Sequence, residues 1–388
     1  MKKFCMVLIG VMMIFPSMIL GEEGKEREMA EKAKSAILIE ASTGKILYEK
    51  NSHEKLAPAS MTKIMSMLVI VENIEKGVIH WDEEITVSEH ASSMGGSQIL
   101  LETGEKMKVS DLFKGIAVAS GNDAVVALAE AVAGSEEEFV KMMNKKVKTL
   151  GLKDTVFKNP HGLDTANHYS TAYDMAMIAK ELVKHEKVLK FTSIYEDYLR
   201  KGTDREFWLV NTNKLVRFND MVDGLKTGFT KEAGYCLTAT AVKNDMRLIS
   251  TVMGEETPTD RSAETTELLN YGYANYKAST VLKKTDIIDT ISIDGAKEEK
   301  IDIVPLRDIK IISKKNEKVG SATYDFKLDK VKLPIKKGTK IGNLNISIDH
   351  KKVDSIGVTV KKDIVKANLG ELTIKNLKDI FSGHIMFE

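Results

Sequence analysis

The sequence predicts an α+β protein in which an antiparallel sheet is flanked by helices, followed by a small all-β domain and an amphipathic C-terminal helix. Three observations carry that expectation. Strand-like segments lie at both ends of residues 28–277 and helix-like segments lie between them, which puts the terminal strands side by side in one sheet. After about residue 280 the helical period disappears, and short alternating segments with Gly and Pro turns run to about 367. The last stretch, 370–388, places Leu372 or Ile374, Leu377, Phe381 and Ile385 on one helical face.

The elements follow in chain order. Lys2 and Lys3 precede an almost wholly apolar run over 4–20, and Gly21 then leads into a charged stretch. Residues 1–21 therefore read as a secretory signal peptide, with an uncleaved anchor as the alternative because the run approaches spanning length. Its removal takes Cys5 and leaves Cys236, so an intramolecular disulfide is excluded. Residues 35–51 read as two strands around Ser42-Thr43-Gly44-Lys45. Residues 60–77 read as a helix apolar on most sides and ended by Gly77. Helical spacing over 111–134 is interrupted at Ser120-Gly121-Asn122. Residues 135–151 begin with a Ser cap and acids and stop in lysines and Gly, as a helix dipole favours. A capped helix follows at 170–185. From 223 the pattern turns to strands, with Lys243-Asn244-Asp245 as a hairpin turn, and 259–276 closes the region as a helix.

Bulk properties bound the function. The chain has 388 residues, 43% apolar and 29% charged, with a formal net charge of +1. That excludes a nucleic-acid-like basic excess. Residues 280–388 carry 22 Lys+Arg against 16 Asp+Glu, a net of +6, and the remainder nets −5. A lysine-rich solvated β surface accounts for this, and an anionic surface such as membrane or wall polymer would also suit it.

The chemistry-bearing stretch is Pro58-Ala59-Ser60-Met61-Thr62-Lys63. Lys63 lies three residues after Ser60, on the same helical face, at the head of an apolar run. Desolvation or a neighbouring cation lowers a lysine pKa and lets the amine take a proton from a serine hydroxyl. The S-x-x-K pattern also occurs at Ser42–Lys45 and Ser52–Lys55, but there in a hairpin turn and a polar loop. Two further signals single out Ser60. Ser120 and Asn122 break a helix 60 residues on, where a hydroxyl can pass a proton and a carboxamide can orient a substrate amide. Lys226-Thr227-Gly228 lies on a strand, where the cation and hydroxyl can hold a substrate carboxylate and the glycine allows close approach. S-x-x-K, S-x-N and K-T-G in that order form the motif set of penicillin-binding proteins and class A β-lactamases.

With these motifs the chain resembles the low-molecular-mass penicillin-binding proteins that act as D-alanyl-D-alanine carboxypeptidases. The similarity extends through "GGSQILLETGE", "FKNPHGLD", "HYSTAYDMAMIA", "VDGLKTGFTKEAGYCLTATA" and the β domain with its amphipathic tail. The resemblance implies a transpeptidase/β-lactamase-like catalytic domain at 28–277, an all-β stalk at 280–367 and a membrane-anchor helix at 370–388. It implies a peptidoglycan stem peptide ending in D-Ala-D-Ala as substrate, β-lactams as acylating inhibitors, and a place at the outer face of the cytoplasmic membrane or in the wall. No cofactor, metal or nucleic acid enters. Carried over by residue, Ser60 is the nucleophile, Lys63 its general base and Ser120 a proton relay. Asn122 positions the acyl part, and Lys226, Thr227 and Gly228 receive the carboxylate end. The N–H groups of Ser60 and Phe229 form the oxyanion hole. Arg261 stands where relatives often keep an arginine near the carboxylate. The chain departs from the pattern at Asn211-Thr212-Asn213, where some relatives carry an arginine in the middle.

Other candidates read as structural. Residues 159–168 hold His161, His168 and Asp164, but the spacing matches no tight metal site. Cys236 has no charged activator beside it in sequence. Competing functions share the chemistry. A class A β-lactamase needs an E-x-x-L-N loop, and no such segment lies between 150 and 185. An endopeptidase cutting D-Ala cross-links would use the same acyl donor, and a non-catalytic wall-binding protein would keep only the fold.

Overall fold

The computed structural model describes residues 28–374, apart from 318–319, 321, 330 and 349–350. The signal-peptide expectation and most of the C-terminal helix expectation therefore lie outside the described residues; a helix begins at 369 and is followed to 374.

The first domain opens with β1 (Ser35–Glu40) and β2 (Ile46–Lys50), a tight antiparallel pair. A 3-10 turn at Ala59–Thr62 leads into α1 (Lys63–Glu75), so the helix expected from residue 60 starts three residues later. A small lobe of helices follows, with β3 (Glu84–Thr86), α2 (Glu89–Ser92), β4 (Lys106–Lys108), α3 (Val109–Ala119), α4 (Asn122–Ala133) and α5 (Glu136–Thr149). Then come α6 (Ala172–Leu182), α7 (Glu186–Thr192), the hairpin β5 (Glu196–Leu199) and β6 (Phe207–Val210), and the single turn α8 (Leu215–Phe218). The long strands β7 (Val222–Thr230), β8 (Gly234–Lys243) and β9 (Met246–Glu255) and the helix α9 (Pro258–Asn275) complete it.

These strands form one antiparallel sheet in the order β2-β1-β9-β8-β7. The first and last strands of the domain are thus neighbours, as the sequence predicts. Side chains alternate between two cores, because successive residues of a strand point to opposite faces. Ile37, Ile39 and Ile249 join the large core with α1, α3, α4 and α6, while Ala36, Leu38 and Leu248 pack with α9 on the other face. Local signals set the helix starts: Ser135 accepts from Glu138 N–H, Thr171 from Asp174 N–H and Thr257 from Asp260 N–H. Asn244 and Asp245 both adopt positive φ, +49° and +58°, as a two-residue hairpin turn requires.

β10 (Tyr276–Leu282) leaves α9 and pairs with β13 (Ile309–Lys314). β11 (Asp289–Ile291), β12 (Ile301–Pro305), β14 (Ala322–Leu328), β15 (Gly342–Ile348) and β16 (Lys351–Val360) form a second sheet, ordered β11-β12-β16-β15-β14. It has its own core around Ile301, Ile303, Leu344, Ile346 and Val358. The junction is bolted by lysines: Lys45 Nζ donates to Ile312 O, and Lys315 Nζ to Tyr273 O, both at 2.8 Å. Among the described residues no helix is long and apolar enough to cross a membrane.

Candidate active site

Four elements converge where the 3-10 turn meets the edge of the large sheet. The turn carries Ser60, and Lys63 is the first residue of α1. Gly162 is what lets the 159–164 loop pass under that turn: its φ is +90°, and a Cβ there would lie 1.9 Å from Ala59 O. Opposite, Gly228 faces Pro58 O and Ala59, so β7 can lie against the same turn.

Lys63 is completely buried, 0% exposed. Its Nζ lies 3.1 Å from Ser60 Oγ, 2.7 Å from Asn122 Oδ1 and 2.7 Å from the His161 carbonyl oxygen. Burial, and then the charge of Lys226, hold its pKa well below the ordinary lysine value. A neutral amine has two hydrogens and one lone pair. In the neutral form, with the two carbonyl oxygens accepting its hydrogens, the lone pair would be free to face the Ser60 hydroxyl. That is the arrangement of a base aimed at a nucleophile.

Ser120 and Asn122 occupy the break between α3 and α4. Ser120 takes the left-handed conformation, φ +65°, and ends α3. Its Oγ is buried and has no hydrogen-bond partner among the described residues. Asn122 opens α4, accepts from Lys63 and donates from Nδ2 to Gly95 O at 2.7 Å. The next residue, Asp123, accepts the N–H groups of Ile99 and Leu101 and so fixes the 95–101 loop beside the site.

On β7, Lys226 is also 0% exposed and donates to Thr227 O at 2.9 Å. Burial and the nearby Arg261 press its pKa down to about 7. Arg261 lies in the first turn of α9, and its Nε is buried without a partner among the described residues. Thr227 Oγ1 donates to Thr212 Oγ1 at 2.7 Å. Phe229 projects outward, 52% exposed, and stacks on Tyr235 with ring centroids 4.3 Å apart.

The fold thus brings Ser60, Lys63 and Asn122 into direct contact and couples Lys226 electrostatically to Lys63 and Arg261. Two participants escaped the sequence reading. The His161 side chain reads as structural, yet its backbone oxygen is a partner of Lys63, which no side-chain pattern reveals. Thr212 is held by Asn211 Nδ2 to Ile194 O, Asn213 Nδ2 to Gly224 O, and its own N–H to Val118 O, and this leaves its hydroxyl for Thr227. Paired asparagines around one hydroxyl were the available signal. His168, the other histidine of that loop, is structural as expected: burial lowers its pKa to about 4 and Nε2 bonds Thr62 Oγ1. Cys236 is buried, and burial raises its thiol to about 11.

A serine, a buried lysine of lowered pKa, a carboxamide and a lysine-bearing strand end are a set of groups suited to acyl-transfer chemistry. A family model described as D-alanyl-D-alanine carboxypeptidase matches residues 22–257. The chain belongs to that family. A second model, the C-terminal domain of penicillin-binding protein 5, matches residues 276–366. The chain is 50% identical to the D-alanyl-D-alanine carboxypeptidase DacF of Bacillus subtilis over 365 residues, 93% of this chain and 94% of that protein. It is 34% identical to DacA of Escherichia coli over 357 residues, 90% of this chain and 88% of the relative. Its structure resembles penicillin-binding protein 5 from Haemophilus influenzae with a TM-score of 0.69 at 33% identity, covering 87% of this chain and 98% of that one. The second match falls on the all-β domain that follows the first.

Proposed function

We propose that this protein is a serine-type carboxypeptidase that removes the terminal D-alanine from peptidoglycan stem peptides through an acyl-serine intermediate. The observation that carries the reading is the buried Lys63 amine, held by two carbonyl oxygens with its Nζ 3.1 Å from Ser60 Oγ. Ser60 Oγ attacks the carbonyl of the penultimate D-alanine as its proton passes to Lys63. The N–H groups of Ser60 and Phe229 receive the developing oxyanion. The tetrahedral species collapses, and the departing D-alanine amine takes a proton by way of Ser120. Water then attacks the ester carbonyl and gives a proton to the same relay, and the relay returns a proton to Ser60 Oγ as the ester bond breaks. Asn122 orients the acyl amide. Lys226, Thr227 and Gly228 hold the terminal carboxylate, with Arg261 adding positive charge behind them. A β-lactam presents the same carboxylate and a strained amide, so it acylates Ser60 in the substrate's place.

The proposed organisation is a signal peptide at 1–21, a catalytic domain at 28–277, a β domain at 280–367 and an anchor helix at 370–388 resting on the outer face of the cytoplasmic membrane. The mixed apolar and lysine-bearing composition of the tail supports the anchor. Loss of membrane sedimentation on deleting 370–388 is the expected result, and unchanged sedimentation refutes the anchor. The activity is tested with diacetyl-L-lysyl-D-alanyl-D-alanine. The parent releases D-alanine, Ser60→Ala does not, and penicillin blocks the parent. Release by Ser60→Ala at the parental rate would overturn the assignment of the nucleophile.

A further inference from the structure

Lys63 depends on two acceptors, the His161 carbonyl and the Asn122 carboxamide, and both trace back to one residue outside the motifs. Glu136 is the first residue of α5. Its Oε1 lies 3.5 Å from His161 Nε2, and its Oε2 lies 2.7 Å from His90 Nε2. His161 Nδ1 accepts the Leu163 N–H at 3.2 Å, so the ring proton sits on Nε2, facing the carboxylate. This fixes the imidazole, and with it the peptide whose oxygen binds Lys63. On the other side His90 belongs to α2, which leads into the loop whose Gly95 oxygen holds Asn122 Nδ2. The His161 imidazole, and then the hydrogen bond with His90, keep the Glu136 carboxyl below its ordinary range despite partial burial, so an anion faces both rings.

We propose that Glu136 is a positioning residue for the catalytic amine: one carboxylate spans two histidines and so anchors both oxygens that accept from Lys63. The inference rests on the reading of Lys63 as the base of Ser60. Glu136 never touches substrate; it acts through the 159–164 loop and through α2 and the 95–98 loop. Neither arm follows from the neighbourhood of Ser60, Ser120 or Lys226 in the sequence.

Two substitutions separate reach from charge. Glu136→Asp keeps the anion and the acidic first turn of α5 but shortens the carboxylate by one methylene, so it cannot span both imidazoles. Glu136→Gln keeps the span: its carbonyl accepts from His161 Nε2–H and its NH2 donates to neutral His90. Acylation of the full protein by a fluorescent penicillin is followed by stopped flow, which yields a limiting rate and a half-saturating concentration, and melting is measured alongside. Glu136→Asp is expected to lower the limiting rate ~10- to 100-fold with an unchanged half-saturating concentration, since small displacements of a catalytic group cost that much. Glu136→Gln is expected to stay within about threefold of the parent. Parental acylation by Glu136→Asp overturns the proposal, as does a defect confined to half-saturation. The reverse order, with Glu136→Gln impaired and Glu136→Asp intact, also overturns it and assigns the residue a purely electrostatic role. A parent that takes no penicillin overturns both this proposal and the reading beneath it, because Lys63 then has no base function to position.

Discussion

Replacing Lys226 by methionine should abolish turnover and yet make the protein more stable at neutral pH. The side chain is wholly buried, and burial with the nearby Arg261 brings its pKa from 10.5 to about 7. In the unfolded chain the amine keeps its proton up to the ordinary value. Between pH 7 and 10.5 the unfolded state therefore binds more protons than the folded state, and parental stability rises with pH across that window. At pH 7 this difference favours the unfolded chain by about 4 kcal/mol. Methionine keeps the volume and removes the titration. It also gives up the hydrogen bond to Thr227 O, worth about 1–3 kcal/mol. The net expectation is a gain of about 2 kcal/mol, or about 4–8 °C in Tm for a domain of this size. At pH 9 the folded lysine is already neutral, the penalty falls to about 2 kcal/mol and the gap between variant and parent closes. Calorimetric melting of Lys226→Met and parent at pH 7 and pH 9 is the assay. A variant that melts below the parent at pH 7, or a gap that is the same at both pH values, refutes the reasoning.

Three further outcomes are expected. Penicillin acylation should rise with pH as Lys63 loses its proton, with a midpoint well below the ordinary lysine range because burial and Lys226 disfavour its charged form; a midpoint near 10 in a pH–rate profile would contradict a desolvated base. Gly162→Ala should lower both Tm and acylation, the latter ~100-fold, because its Cβ would lie 1.9 Å from Ala59 O at a φ of +90° and the loop must retreat from Lys63; parental acylation would show that the loop does not hold the base. Cys236, buried with its thiol raised to about 11, should resist a disulfide reagent in the folded protein and react once in denaturant; fast labelling under native conditions would contradict its burial.

What could be read from the sequence was whatever local chemistry fixes. The Ser120-Gly121-Asn122 break, the Ser135 cap and the Asn244-Asp245 turn each depend on a few neighbouring residues, and each is found where it was expected. So is the pairing of β1 with β9, because strands at both ends of one domain have few other places to go. The hairpin of β5 and β6 was not read, since four-residue strands around a charged turn carry too little alternation to register. The helix read from residue 60 begins as a 3-10 turn because Ala59, at φ +46°, tightens the chain under β7. In the site, side-chain identities were legible and backbone partners were not. The His161 oxygen reaches Lys63 across 98 residues, and a backbone acceptor leaves no mark in the pattern of side chains.

Lys226 and Arg261 bring positive charge close to Lys63, and the acids near them are engaged elsewhere. Asp123 is committed to the N–H groups of Ile99 and Leu101. Glu255 is pushed above the usual carboxylate range by burial and by Glu264 beside it, which disfavours its charged form. On the proposed reading, the substrate's terminal carboxylate supplies the counter-charge to Lys226 and Arg261. On that reading recognition works as a ruler with two marks. One mark is the cationic end at Lys226, and the other is Ser60. A molecule is read by the distance between its carboxylate and its reactive carbonyl more than by the outline that joins them. A peptide and a fused-ring amide of very different shape can satisfy the same two marks.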